Sequence, residues 1–486
     1  RGDGLCDTPA DPNLDDYVSN SCFYTADFID GHGDFYLPDT SNFMSYSEKD
    51  CRNSFSNQQL EVALSTYDIH RPELNYPPLN PFISLYSHNI LEDEGNEDLM
   101  INFWGENSHF TRFNQSKVRQ NGFVSDLTLS ITLICNNRTC SASFSLSNND
   151  DQDFQKALLY LESLRNDINQ LPEDPFIVYP KEGQSSVQNN KGELLNIKDV
   201  VDTLSPAIKN VDLSGIWASG NLFVGYANSK GLTHWFSTES FSFDYSLITE
   251  SEKMVKDTFA GTHFKLDEYN ALMNSSINQL KMLEKNPIKV NPGDYRTYIA
   301  PAGVSDLISM FSWNGLSEGA IRRGQSAFLK MKNNSEKLSP CFSLNEDFST
   351  GLTPMFNDDG ELAPKKLPLI NNGMLKNTLI NSRTAKEYNI ESNFAGGWEG
   401  LRAPVMNIGD LDENNISKEI ETGVFLNNLH YLNWSDNIGG RITGMTRYAC
   451  FWVENGEIVA PIENMRFDDT IYNIFGNNLE SLTNSN

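Results

Sequence analysis

The side chains that could do chemistry are sparse and widely spread. The seven histidines stand at positions 32, 70, 88, 109, 234, 263 and 430. A helical metal site uses histidines one turn apart on the same face. A catalytic zinc takes three protein ligands and a structural zinc four. No two histidines here are a helical turn apart, so the spacing predicts structural histidines rather than a metal pair. Asp27, Asp30 and Asp34, with Gly31 and Gly33 between them, offer oxygen ligands, but not at the positions of an EF-hand loop, and read as a solvated loop. Asp358-Asp359-Gly360 reads the same way, as an acidic solvated turn. Gly396-Gly397-Trp398-Glu399-Gly400 and the stretch from Gly439 through Gly440 and Arg441 to Arg447 are glycine-bearing loops whose backbone could pair with an extended peptide. Ordinary turns are the competing reading of both.

The scaffold that must carry these groups is large enough for several domains, at 486 residues with 39% hydrophobic and 11% aromatic side chains. Its 65 acidic against 37 basic residues give a net charge of −28. That balance argues against nucleic acid, which is held by clustered Lys and Arg. No apolar run approaches the roughly 18 residues of a membrane span, and the opening Arg1-Gly2-Asp3 has no charged-then-apolar leader. Three of the seven cysteines (Cys6, Cys22, Cys51) fall in the first fifty-one residues, which suggests two unlike pieces. Residues 1–70 are loop-rich, and Pro72, Pro77, Pro78 and Pro81 make 71–82 a linker. Strict alternation over Phe123–Ile134, a turn at Asn136-Asn137-Arg138 and renewed alternation over Cys140–Leu146 predict a hairpin with one wet face. Apolar residues at helical spacing follow from Phe154 to Ile168, ended by Leu171-Pro172. A second strand-rich block spans Leu213–Leu247. Helices are predicted at Asp267–Glu284, Gly303–Ser317 and Ser326–Lys332, with strands returning after Asn371. Asn372-Gly373 and Asn455-Gly456 sit between apolar runs as tight hairpin turns. Strands, then helices, then strands predict an α+β fold.

Five ordered segments carry a family resemblance over residues 83–486. They are Arg112–Gln120, Gly293–Pro301, Phe356-Asn357-Asp358-Asp359-Gly360, Leu369–Lys376, and Gly440–Arg447 leading into Phe451–Ile458. Together they resemble the TldD/PmbA peptidase family. The resemblance implies a two-part fold, an α/β sheet region over about 83–265 and a β-rich region over about 266–486. It also implies a cytoplasmic dimer of related subunits enclosing a chamber. In that family one subunit holds zinc through H-E-x-x-x-H on a helix plus a late cysteine, and its partner lacks those ligands. The matching stretch here, Ala302–Gly319, contains no histidine, and no cysteine follows Cys450. Cys450, beside Phe451 and Trp452, reads as a packed thiol. The chain therefore resembles the PmbA (TldE) side. The implied cofactor is none in this chain, with zinc in a TldD-type partner, and the implied ligand is a peptide. The Gly396-Gly397-Trp398 and Gly440, Arg441, Arg447 segments are the candidate chamber loops.

A second resemblance falls on residues 1–70. Asp7-Thr8-Pro9-Ala10 and Asn42-Phe43-Met44-Ser45-Tyr46 resemble the end of a pappalysin/cytophagalysin-type metzincin domain. The resemblance implies that Met44 is the Met-turn floor and Tyr46 its neighbour, and that Cys22 and Cys51 belong to that family's disulfides. The ligand helix of such enzymes comes before the first of these motifs, where this sequence has only Arg1–Cys6, so a truncated or joined frame is expected. Pappalysin-like enzymes are secreted. The longer piece decides for a cytoplasmic, non-catalytic, peptide-handling subunit, against two alternatives: an active zinc protease, and a peptide-binding protein with no peptidase role.

Overall fold

Alternation of apolar and polar side chains makes strands whose two faces differ, and the longest alternating runs build the largest sheet. The computed structural model describes residues 97–180 and 182–484, with short pieces at 18–19, 22–29 and 35–38. The proline linker, Met44, Tyr46 and Cys51 lie outside the described residues. β1 (Glu97–Asn114) and β2 (Lys117–Cys135) form a long antiparallel hairpin closed by Gln115 and Ser116, both left-handed (φ 52° and 56°). β3 (Arg138–Ser145) continues it through Asn136 and Asn137, also left-handed, as the sequence predicts. On the wet face Ser130–Ser143 and Thr132–Ser141 hydroxyls pair across the strands.

The sheet is completed by β4 (Ser186–Asn190), β5 (Asp212–Asn228), β6 (Thr233–Ile248) and β7 (Met254–Gly261), in the order β3-β2-β1-β5-β6-β4, with β7 also on β6. Helices cover one face in two places. α1 (Asp150–Asp167) is capped by Asn149, whose side chain accepts from Gln152 N, and has three aspartates in its first turn, where the helix dipole favours them. It lays Ala157, Leu161 and Leu164 on Leu99, Ile101, Phe103 and Leu129. Further along, α2 (Val200–Ile208) and α3 (Leu266–Leu283) pack Leu204, Tyr269 and Met273 against Phe113, Trp217 and Phe243. His109 is buried on β1, and burial pushes it down to about 4, so it is neutral.

The second part is built of small sheets. β8 (Thr297–Ile299) leads into α4 (Pro301–Ser309), followed by α5 (Glu318–Arg322) and α6 (Leu329–Lys332). β9 (Leu344–Asp347), β10 (Lys366–Asn371), β11 (Met374–Leu375) and, beyond α7 (Ser382–Tyr388), β12 (Pro404–Met406) form a four-stranded sheet. After α8 (Ile416–Ile420) come β13 (Gly423–Leu426), β14 (Asn428–Asp436), β15 (Arg441–Arg447), β16 (Phe451–Glu454), β17 (Glu457–Pro461) and β18 (Arg466–Thr470). They make a sheet in the order β17-β16-β13-β8 and another in the order β14-β15-β18. Phe311, Phe328, Phe342 and Phe475 anchor the common core. Both Asn-Gly turns adopt left-handed pairs (φ 49° and 76°; 53° and 77°), as their residues dictate. The architecture is α+β in two parts, and no described helix is long and apolar enough to cross a membrane.

Candidate functional site

The helix that the family resemblance singles out is short. Pro301 starts α4, where a missing N–H costs nothing. The predicted helix over Gly303–Ser317 is corrected: α-helix ends at Ser309, a single 3-10 turn follows at Met310–Ser312, and Asn314 is left-handed (φ 62°). A Cβ at Gly315 would lie 2.6 Å from the Phe311 carbonyl oxygen, so the chain tightens here as only glycine can. The one ionisable side chain on α4 is Asp306. Next along the chain, Glu318 is buried and fully engaged: Arg322 at 2.8 Å, Lys332 at 2.9 Å and the Thr378 hydroxyl at 2.6 Å all donate to it. Among the described residues no three His, Cys, Asp or Glu side chains converge to hold a metal. Cys450 is buried, and its thiol donates to the Tyr448 carbonyl at 3.1 Å, with burial pushing its pKa up. The residues at this position do not fit a zinc ion.

The Gly396–Gly400 loop lies directly on this segment. Leu401 N donates to Ser312 Oγ at 3.0 Å. The Glu399 carboxylate, 3% exposed, accepts from Ser317 Oγ (2.6 Å), Gly319 N (2.9 Å) and Asn381 N (3.0 Å). Asn381 Nδ2 in turn donates to Gly397 O, and Asn357 Nδ2 to Ala395 O, each at 3.0 Å. Two non-glycine residues of this loop, Phe394 and Glu399, are left-handed (φ 59° and 50°). Such conformations cost about 1–2 kcal/mol each and persist where the surroundings over-determine them. The result is a fixed loop that carries Trp398 at 94% exposure, with Trp313 half-exposed on the neighbouring segment.

The Gly439–Arg447 segment differs from expectation. Gly440 (φ 68°) is at a hairpin tip, but Arg441–Arg447 is β15, paired with β14 on one edge and β18 on the other. Its backbone is already committed, so it cannot take an added peptide strand. Its side chains remain available. Arg441 is tied to Asp468 at 2.7 Å. Arg447 donates to His430 Nε2 at 2.6 Å and lies over the Tyr448 ring at 5.2 Å. His430 in turn lies against Tyr431 with the rings tilted at 52° and their centres 4.1 Å apart. Tyr431, Tyr448 and Ala449 are all left-handed (φ 52°, 57° and 32°). Lys256 of β7 and Asp306 of α4 face the same cluster. His430 is pushed down by partial burial and then by the Arg447 and Lys256 charges, against a weaker pull from Asp306.

The acidic turn is the other surprise. Asn357 Oδ1 accepts from Asp359 N (3.0 Å) and Glu361 N (2.9 Å), and Gly360 takes φ 77°. The turn docks on the first part of the molecule. Asn102 Nδ2 donates to Asp358 O at 2.9 Å, and His234 Nε2 lies 2.9 Å from Gly360 O. A carbonyl can only accept, so His234 carries its proton on Nε2, and Nδ1 accepts from Ser186 Oγ at 2.7 Å. Asp359 is half-buried, and burial, then Glu361 and Asp358, push it up to about 6. A cavity of about 340 Å³ opens beside this junction, lined by Ser186, Val187, Gln188, Trp235, Met355 and Phe356.

The family profile described as the PmbA/TldA metallopeptidase C-terminal domain matches residues 292–486, which include α4, the Gly396–Gly400 loop, β14, β15 and the acidic turn. Over residues 292–486 the chain belongs to the TldD/PmbA family. The fold of the chain recurs in solved structures of low sequence identity. A candidate modulator of DNA gyrase from Bacteroides thetaiotaomicron superimposes with TM-score 0.66 at 16% identity, covering 86% of this chain and 94% of that one. TldE from Thermococcus kodakarensis gives 0.63 at 14%, covering 81% and 91%. A candidate gyrase modulator from Thermotoga maritima gives 0.61 at 15%, covering 83% and 93%. No curated protein matches the chain. None of these comparisons carries the metzincin resemblance of residues 1–70, where the described pieces show Cys22 in a disulfide.

The missed features carry little signal in the sequence. Phe394, Glu399, Tyr431 and Tyr448 are residue types that rarely turn left-handed, and sequence pattern does not mark them. The lone glycines at 360 and 440 mark turns without saying what the turns dock against.

Proposed function

We propose that this TldD/PmbA-family protein is a non-catalytic, TldE-like partner that helps a zinc-bearing TldD-type homologue handle extended peptides in the cytoplasm. The observation that carries the reading is the ligand-free stretch from α4 to α5. Where the resemblance calls for H-E-x-x-x-H, the chain offers Asp306 alone, and the nearby Glu318 is neutralised by Arg322 and Lys332. A hydrolytic zinc site needs ligands that can bind metal and a base that can take a proton from its water. The set present supplies neither. Support for a partner role comes from the loop beside that stretch, which spends strained backbone on holding Trp398 out in solvent. Exposed aromatic side chains on rigid supports are the usual anchors of protein contacts.

The test is zinc content and peptidase activity of the purified chain, alone and mixed with an H-E-x-x-x-H subunit. The expected result is no stoichiometric zinc, no cleavage alone, and activity above that of the zinc subunit after mixing. Zinc and cleavage in this chain alone overturn the reading, as does failure to associate with any such subunit.

A further inference from the structure

The cationic cluster around Arg447 and Lys256 sits where β7 meets β14 and β15. The chain carries a net charge of −28, and several of its described basic residues are spent on carboxylates. Arg138, Arg165, Lys230, Arg296, Arg322, Lys332, Arg383 and Arg441 all sit in ion pairs. Among the described residues Arg447 and Lys256 make no ion pair. Instead Arg447 spends one N–H on His430 Nε2 at 2.6 Å, which fixes the plane of its guanidinium and leaves the other donors open. A guanidinium cannot accept a hydrogen bond, so His430 is the neutral tautomer with its proton on Nδ1. Tyr448 lies under the same group at 5.2 Å, and Tyr431, 74% exposed, flanks the histidine.

Two elements of different parts are tied together to make this arrangement. Asn428 Nδ2 donates to Lys256 O at 3.0 Å, and Ala449 N donates to Met254 O at 3.2 Å. These bonds bring β7 of the large sheet to the start of β14 and the end of β15. The carbonyl of the left-handed Tyr448 is met from below by the Cys450 thiol. The strained backbone at Tyr431, Tyr448 and Ala449 is concentrated around the arginine and is held by bonds from both parts of the molecule.

We propose that Arg447 and Lys256 form a binding site for a peptide carboxylate, with His430 positioning the arginine and Tyr431 packing beside the ligand. This rests on the peptide-handling reading above and names the group that is recognised. An oriented guanidinium fork matches the two oxygens of a carboxylate, and a second cation adds charge without competing for the same geometry. Among the described residues Asp306 is the one acid whose charge acts on His430, and it opposes the site. Its presence sets a sign: removing its charge strengthens carboxylate binding, whereas a site for a cation would weaken.

The experiment uses the full chain and three fluorescent peptides: one sequence as its free C-terminal acid and as its C-terminal amide, and that amide with one internal residue replaced by glutamate. N-acetylalanine, followed by ligand-observed NMR, probes the carboxylate alone. The acid is expected to bind about tenfold more tightly than the plain amide, the effect of one charge-assisted contact. Arg447→Met removes that difference and the N-acetylalanine signal, while Asp306→Asn raises affinity. The glutamate peptide distinguishes a side-chain carboxylate from a chain terminus. His430→Gln, which keeps an acceptor for the arginine, retains binding, whereas His430→Phe loses several-fold. Unchanged thermal unfolding of each variant shows that it folds. Equal binding of acid and amide, insensitive to Arg447→Met, overturns the site and leaves the peptide reading intact. Loss of all peptide binding with an Arg447-dependent N-acetylalanine signal overturns the peptide reading and leaves the site. Weaker carboxylate binding in Asp306→Asn overturns the proposed polarity.

Discussion

Replacing Glu399 by alanine tests how the Gly396–Gly400 loop is held. The carboxylate is buried and accepts from one hydroxyl and two backbone N–H groups, at 2.6, 2.9 and 3.0 Å. Each buried donor left without a partner costs about 1–3 kcal/mol. The Ser317 hydroxyl can turn elsewhere, since its oxygen already accepts from Ala320 N as the cap of α5, but the amides of Gly319 and Asn381 cannot. Two stranded amides give a loss of about 3 kcal/mol for Glu399→Ala, or a fall of about 6–12 °C in Tm for a unit of 150–250 residues. The backbone supplies an internal control. Glu399 has φ 50°, which glycine adopts freely and alanine does not. Glu399→Gly is therefore expected to be more stable than Glu399→Ala by about 1 kcal/mol, although it removes more atoms. Glu399→Gln keeps one acceptor oxygen and falls between alanine and the parent. Differential scanning calorimetry reads the order, and cleavage near Trp398 by a protease of aromatic specificity reports whether the loop has come loose. A Glu399→Ala protein that melts within about 1 °C of the parent, or a glycine variant less stable than the alanine one, refutes the reasoning.

Gly360→Ala is expected to cost about 3 kcal/mol, because its Cβ would lie 2.2 Å from Tyr226 Cε1 in a backbone with φ 77°. Pairing it with Tyr226→Leu should recover part of the lost Tm, and no recovery places the cost in the backbone alone. Asp359 predicts a pH effect. Its carboxyl is raised in the fold from 3.8 to about 6, so the folded state holds the proton more tightly. That contribution is full below about pH 3.8 and is lost as pH rises to about 6. Asp359→Asn should thus be the more stable protein at neutral pH, by at most about 3 kcal/mol and by less for a half-buried group. Its advantage should shrink below pH 6, and urea unfolding of both proteins across pH 4–8 reads the difference. A constant difference across that range would place the effect in packing instead.

The sheet was legible because alternation has one physical meaning. Leu127, Leu129, Ile131 and Leu133 go inward while Thr128, Ser130 and Thr132 go out. The paired asparagines at 136–137 and the two Asn-Gly turns were legible for a similar reason, since few residues accept left-handed backbone cheaply. The stretch from Gly303 to Ser317 misled because its apolar spacing suits a helix, and the break is made by Asn314 and Gly315 meeting the Phe311 carbonyl, a contact between neighbouring turns. Arg441–Arg447 misled in the opposite way. Two flanking glycines suggested a loop, yet a single glycine inside a strand can mark a close approach, and a Cβ on Gly444 would lie 2.6 Å from Phe467 Cζ. The acidic turn reads as solvated until Tyr226 and His234 are seen beneath it. Pairings between residues more than a hundred positions apart leave no local trace.

The carboxylates nearest α4 bear on function as much as the absent histidines do. Burial alone would raise Glu318, but hydrogen bonds from Thr378, Lys332 and Arg322 outweigh it and leave the group below its ordinary value. A base poised to accept a proton near neutral pH needs the opposite. Glu346 is raised by burial, yet its oxygens receive the Arg402 and Ala403 amides at 3.1 Å. Glu399 is held by three donors. Glu318, Glu346 and Glu399 are thus each committed to fixing one segment against its neighbour. What the same bonds do deliver is rigidity around groups left open to solvent, Trp398 on one loop and Arg447 with Lys256 on another. Ordered backbone that presents an aromatic ring and an oriented guanidinium lowers the entropic cost of binding, which is the role proposed for these two loops.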